Sequence, residues 1–67
     1  MKLMVNGEAY EIDSDSPSVS ELLESRGHKA SEVAVAVNEE FVSRSTYDEH
    51  KLTAGDDIEV VAPMQGG

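Results

Sequence analysis

The chemistry of the chain concentrates at its last two residues, Gly66-Gly67. They follow an apolar run, Ile58-Glu59-Val60-Val61-Ala62-Pro63-Met64, that reads as a final β-strand and its exit. The α-carboxylate of Gly67 is then expected at the tip of a thin thread. Glycine has no Cβ, so two in succession can lie extended or take positive φ and pass through a gap too narrow for other residues. Such a carboxylate could enter another protein's active site. Two terminal glycines are also what a frayed end looks like, because termini are commonly disordered. The rest of the chain has to separate these readings.

Other polar clusters carry less chemistry. Asp48-Glu49-His50 combines metal-ligating types, but neighbours on a loop diverge and no second His follows at i+4, so a solvated loop is expected. His28 follows Gly27 at a helix end, where a partly cationic imidazole would complement the C-terminal dipole. Asp56-Asp57 beside Gly55 suits a turn, since a hard-cation loop needs more oxygen ligands at regular spacing. Gly7, Gly27 and Gly55 are too scattered for a phosphate loop. With no cysteine there is no disulfide, thiolate metal site or thiol nucleophile. No serine or lysine has an evident base beside it. No catalytic residue and no metal ligand is therefore assigned.

Size and charge narrow the function class further. A chain of 67 residues forms one domain, and a domain of this size buries only about 60% of its unfolded surface. One thin core and no cleft are expected, whereas an enzyme pocket usually needs roughly 300 Å³ or more. The net charge of −9, from 14 acidic and 5 basic residues, opposes nucleic acid and anionic membrane surfaces, where a binder supplies Lys and Arg. It suits a basic docking surface on a partner protein, and equally simple solubility. The longest apolar run, Val33 to Val37, is too short to span a bilayer. No signal peptide is expected, because Lys2-Leu3-Met4-Val5 runs directly into Asn6-Gly7. The lack of cysteine fits a reducing cytosol.

The elements that would position the terminus follow from periodicity. Asn6-Gly7 predicts a type I′ hairpin over residues 2–12, with Leu3 and Val5 on one face and Met4 on the other. Ser18-Val19-Ser20-Glu21 is a capping box that should open a helix at Ser18. Val19, Leu22 and Leu23 form its apolar stripe, and Gly27 is placed to stop it. Residues 33–37 alternate Val and Ala, predicting a central strand with valines inward. A looser turn at Asn38-Glu39-Glu40 should lead to a short strand over residues 41–43, because Glu39 is not a turn former. Residues 44–52 read as irregular, with one helical turn near 46–49, and residues 53–57 as a turn before the last strand. In that strand Ile58 and Val60 should face the helix. One mixed sheet must then cover one helix, which has nothing else on which to bury its stripe. By alternation Met4, Phe41 and Val61 fall on the opposite face, a candidate docking surface. Phe41 and Val61 could instead pack under the 44–52 loop. Met64 and Gln65 lie where a partner would grip the tail.

Several pieces together resemble a known family: Val5-Asn6-Gly7-Glu8, Ser18 to Leu23, Val33 to Asn38, Val42-Ser43-Arg44-Ser45, Leu52 to Val61, and Gly66-Gly67. In order and spacing they are similar to the small ubiquitin-like sulfur carriers of the ThiS/MoaD family, above all the ThiS branch of thiamine biosynthesis. The resemblance implies an α+β fold, the β-grasp, with residues 1–63 as the domain and 64–67 as a flexible tail. It implies that Gly67 is the attachment point of an adenylate and then a thiocarboxylate, with Gly66, Gln65 and Met64 threading the partner's channel. A ThiF-like enzyme would consume ATP to make the adenylate, a sulfur donor such as a cysteine desulfurase would supply the sulfur, and a ThiG-like thiazole synthase would receive it. The carrier itself would bind no cofactor and would be a cytoplasmic monomer when free. Within the fold, a MoaD-like carrier for molybdopterin synthesis is the alternative pathway. A β-grasp binding module with an inert tail is the alternative class. The chain departs from many relatives at Asn38-Glu39, where they carry Asn-Gly, and at Ser43, where they carry proline. Pro63-Met64-Gln65 is also less typical.

Overall fold

Turn chemistry sets one edge of the sheet. In a computed structural model, which describes residues 1–62, Asn6 (φ 52°) and Gly7 (φ 83°) both adopt left-handed conformations. Both central residues of a type I′ turn need them. They join β1 (Lys2–Val5) to β2 (Glu8–Glu11), with Val5 opposite Glu8. Leu3 and Val5 are buried and Met4 faces the other way. Residues 63–67, and with them the expected tail sites Met64, Gln65, Gly66 and Gly67, lie outside the described residues.

The capping box forms as read. Ser18 Oγ accepts from the Glu21 amide at 3.1 Å, and Glu21 Oε1 accepts from the Ser18 amide at 3.0 Å. This opens α1 (Val19–Ser25), which buries Val19, Leu22 and Leu23. Gly27, at φ 81°, ends it: the Gly27 amide donates to Glu24 O and the His28 amide to Leu23 O, the two bonds of a Schellman motif. The expected role of the His28 side chain as a cap is thus filled by its backbone N–H. A 3₁₀ turn at Ala30–Glu32 leads into the second half.

There the details differ from expectation. The strand β3 (Ala34–Val37) is joined to β4 (Glu40–Val42) by a two-residue turn as tight as the first, with Val37 opposite Glu40. Asn38 (φ 51°) and Glu39 (φ 74°) are both left-handed. The turn is tight because Asn38 is held from outside the hairpin, by bonds to the start of the last strand. Consequently β4 begins one residue earlier than expected. The helical turn after it also starts earlier, at Arg44–Thr46.

The sheet order is β2-β1-β5-β3-β4, where β5 is Asp57–Val61. β5 runs parallel to β1 and antiparallel to β3, so β5 and not β3 is central. The continuous apolar run in β3 has another cause. Ala36 lies on the outer face between Phe41 and Glu59, and these larger neighbours shade it to 5% exposure. The inner face and α1 enclose Leu3, Val5, Leu22, Leu23, Val35, Ile58 and Val60. Tyr47 and Leu52, from the loop read as irregular, complete this core, and the Tyr47 hydroxyl donates to Val33 O at 3.3 Å. Among the described residues no helix is long and apolar enough to cross a membrane.

Candidate functional site

Any tail chemistry must start from where the chain leaves the sheet, at the end of β5. On one side β5 is held by β3 along its whole length, from Val37 opposite Ile58 to Ala34 opposite Val61. On the other side the parallel ladder with β1 is short. The Met4 amide donates to Asp56 O at 3.0 Å and the Asn6 amide to Ile58 O at 2.8 Å, and then β1 turns away at Gly7. The next peptide on β5 is met by a side chain: Asn6 Oδ1 accepts from the Val60 amide at 2.8 Å, and Asn6 Nδ2 donates to Val60 O at 3.3 Å. A carboxamide has the donor and acceptor of a peptide group, so it can extend a ladder that the backbone has left.

The opposite end of β5 is held in the same manner. The Asn38 amide donates to Asp57 O at 2.7 Å, Asn38 Oδ1 accepts from the Asp57 amide at 3.0 Å, and Asn38 Nδ2 donates to Asp56 Oδ1 at 3.1 Å. Two hairpin asparagines therefore clamp the strand that carries the tail. The sequence reading took both only as turn formers. The available signal was the residue type itself: many left-handed turn positions accept Gly, whereas Asn tolerates the same conformation and adds a peptide-like carboxamide donor and acceptor.

The outer face carries the expected apolar residues. Phe41 is 77% exposed, Val61 52% and Met4 38%, so Phe41 and Val61 do not pack under the 44–52 loop. Phe41 opposes Ala36 and Val61 opposes Ala34 on β3, which makes one apolar strip that runs to the root of the tail. Met4 stands apart, opposite Asp57 on β5, and Glu59 occupies the same face between Met4 and Ala36. The three expected docking residues are thus two plus one, divided by acids.

The remaining clusters serve the fold. Asp48 Oδ1 accepts from Ser20 Oγ, and His50 O accepts from the Val19 amide at 3.0 Å, so this loop is stitched to the start of α1. Asp56 Oδ2 accepts from the Thr53 amide at 2.8 Å, closing the turn before β5. Among the described residues no three acidic, His or Cys side chains converge as a metal site. The surface is less featureless than expected. Open depressions of about 420 and 540 Å³ flank α1, the first beside the carboxylates of Asp13, Glu21 and Glu24. Both lie on the helix side, across the sheet from the Phe41 strip.

The sequence profile described as the ThiS family matches residues 3–67. The chain belongs to the ThiS family. The crystal structure of the thiamine biosynthesis protein ThiS from Geobacter metallireducens is 35% identical, superposes with a TM-score of 0.84 and is covered over 100% of both chains. The solution structure of a thiamine biosynthesis protein from the same organism gives a TM-score of 0.83 at 35% identity, over 100% of this chain and 88% of that one. A thiazole synthase from Paramagnetospirillum magneticum is 40% identical over 67 residues, and the chain spans about 20% of that relative's length. ThiS membership agrees with the mixed five-stranded sheet packed on one helix, the β-grasp arrangement. The ThiS family is one of small carrier proteins, and the match supports a sulfur-carrier role in thiamine biosynthesis.

Proposed function

We propose that this ThiS-family chain carries sulfur on the carboxyl group of Gly67 and delivers it for thiazole formation in the cytoplasm. The observation that carries the proposal is the ThiS match over the whole length of both chains. A ThiF-like enzyme is the proposed activating partner. It would join the Gly67 carboxylate to AMP from ATP, releasing pyrophosphate. Activation is needed because a carboxylate is a resonance-stabilised anion that repels nucleophiles, whereas the mixed anhydride is a good electrophile. The persulfide of a donor such as a cysteine desulfurase would then attack the acyl-adenylate and expel AMP, and a thiol reductant would cleave the resulting acyl disulfide, leaving the thiocarboxylate on Gly67 and a disulfide between the reductant and the donor. The partner supplies the stabilising charges and the dry site. The carrier supplies recognition and reach, and having no cysteine it holds sulfur nowhere but on Gly67.

A ThiG-like thiazole synthase is the proposed acceptor. Its support is the thiazole synthase relative, which contains within one chain a stretch 40% identical to this one. The docking surface on the carrier is the strip of Phe41 and Val61 with Met4 beyond the acids. The strip runs to Val61 at the end of β5, from which the chain continues toward Gly67. Ordering each tail residue in a channel costs about 1–2 kcal/mol, and docking of this surface, steered by the net charge of −9, offsets that cost. The proposed tail contacts are Met64, Gln65 and Gly66.

The test is pyrophosphate release by a ThiF-like enzyme with ATP. The intact chain should support it. A chain lacking Gly67 should bind the enzyme with similar affinity and release none. Equal release from the shortened chain would refute the assignment, and would favour a binding module with an inert tail.

A further inference from the structure

We infer that Asn6 is a site of spontaneous deamidation that the folded β1–β2 turn protects until the turn opens locally. The chain has two asparagines, Asn6 and Asn38, and only Asn6 precedes a glycine. An asparagine side chain is thermolabile because the next peptide nitrogen can attack its carboxamide. Glycine in that next position has no Cβ to crowd the attack, whereas Asn38 is followed by Glu39 with a full side chain. Asn6 and Gly7 are both exposed, and nothing lies within 4 Å of the position that a Cβ on Gly7 would take. Water and hydroxide therefore reach the turn.

The reaction balances without an enzyme. Hydroxide takes the proton of the Gly7 amide, the nitrogen attacks Asn6 Cγ, and a five-membered succinimide closes as the Cγ–Nδ2 bond breaks. Nδ2 leaves as ammonia, with a proton from water that restores hydroxide. Water then opens the ring at Cγ to give aspartate, or at the main-chain carbonyl to give isoaspartate.

Two features of the fold oppose the first step. Ring closure needs the Gly7 nitrogen rotated to the side of the Asn6 Cα–C bond on which Cβ lies. The type I′ backbone, with Asn6 at φ 52°, holds that nitrogen nearly opposite. The carboxamide must also swing away from Val60, whose amide and carbonyl it engages at 2.8 and 3.3 Å. Closure thus requires the turn and both bonds to open together. The β1–β2 hairpin forms one edge of the sheet, and β5 stays paired with β3 when the turn opens, so the opening is local. Neither product restores the native contact. Aspartate presents a carboxylate to Val60 O where Nδ2 donated, and isoaspartate adds a carbon to the main chain of a two-residue turn.

The test incubates the full-length chain in mildly alkaline buffer, folded and in guanidinium chloride, and follows deamidation by intact mass with fragmentation to locate it. A peptide of residues 3–9 in both solutions gives the effect of denaturant on the chemistry itself. In the unfolded chain Asn6 should deamidate at the peptide's rate. In the folded chain it should be about ten- to hundredfold slower, since two hydrogen bonds must break first. Asn38 should lag behind Asn6 in the unfolded chain. Glu39→Gly gives Asn38 a glycine successor in a turn of the same kind, so Asn38 should then match Asn6 when unfolded and stay protected when folded. Ser18→Ala lowers global stability from outside the turn and should leave the folded rate at Asn6 unchanged. Equal rates at Asn6 in the folded and unfolded chains, or no reaction there in the unfolded chain, would overturn the inference. Asn38 reacting as fast as Asn6 in the unfolded wild type would do so as well, as would loss of folded protection at Asn38 in Glu39→Gly. A folded rate that rises in Ser18→Ala by the factor of its lost stability would make global unfolding the gate, and would also overturn it.

Discussion

Replacing Glu39 with glycine should stabilise the protein, although it deletes a side chain and adds flexibility. Apart from the asparagines and glycines, Glu39 is the one residue with positive φ, at 74°, among the described residues. A left-handed conformation costs an L-residue with a Cβ about 1–2 kcal/mol, and glycine escapes that cost. Glycine in turn loses about 0.5–1 kcal/mol more chain entropy on folding than alanine does. The Glu39 side chain is exposed, so little packing is lost. The balance is a gain of about 0.5–1 kcal/mol, or roughly 3–6 °C in Tm for a domain of this size. Asn38→Gly is the control, since it shares the backbone sign, at φ 51°, but removes the bonds to Asp56 and Asp57. It should destabilise by about 1 kcal/mol or more. Thermal and urea unfolding followed by circular dichroism measures both. A Glu39→Gly Tm equal to or below that of the wild type would refute the reasoning, as would a fall of equal size in both variants.

Further changes test other parts of the account. Ser18→Ala removes the acceptor that closes the capping box and should cost about 1 kcal/mol in urea unfolding. Leu22→Ala opens the centre of the core, where Leu22 is 0% exposed, and should cost about 2–5 kcal/mol. A chain of 67 residues has only about 3–10 kcal/mol in total, so this variant should lose a large share of its stability, read by circular dichroism as a markedly lower Tm. Phe41→Ala should leave Tm within about 1 °C, because an exposed side chain away from special features contributes little. It should weaken binding to the ThiF-like enzyme about tenfold in calorimetry. That binding should also weaken as salt is raised from low to physiological strength, since the charge-steered component is screened.

The sequence was informative wherever one local signal fixed one local structure. Asn6-Gly7 specified its turn, Ser18 and Glu21 opened the helix, and Gly27 closed it. The alternation of β5 placed Ile58 and Val60 inward. What stayed hidden depended on partners distant in sequence. The central place of β5 comes from a parallel pairing with β1 that no turn announces. The tight turn at Asn38-Glu39 exists because Asn38 is bonded to Asp56 and Asp57, so a residue poorly suited to a turn is carried along. Tyr47 and Leu52 enter the core from a segment without periodicity. At the candidate site, alternation put Met4, Phe41 and Val61 on the outer face. It could not show that Asp57 and Glu59 divide them. The clamp from Asn6 to Val60 was invisible for the same reason: it joins two residues that local patterns treat separately.

The most direct test of the account is the intact mass of the chain after incubation with a ThiF-like enzyme, ATP and a sulfur donor. A sulfur carrier predicts the exchange of one oxygen for sulfur, mapped by fragmentation to Gly67 and dependent on ATP. An unchanged mass under conditions in which the enzyme modifies an established ThiS protein, or sulfur found at any other residue, would contradict it.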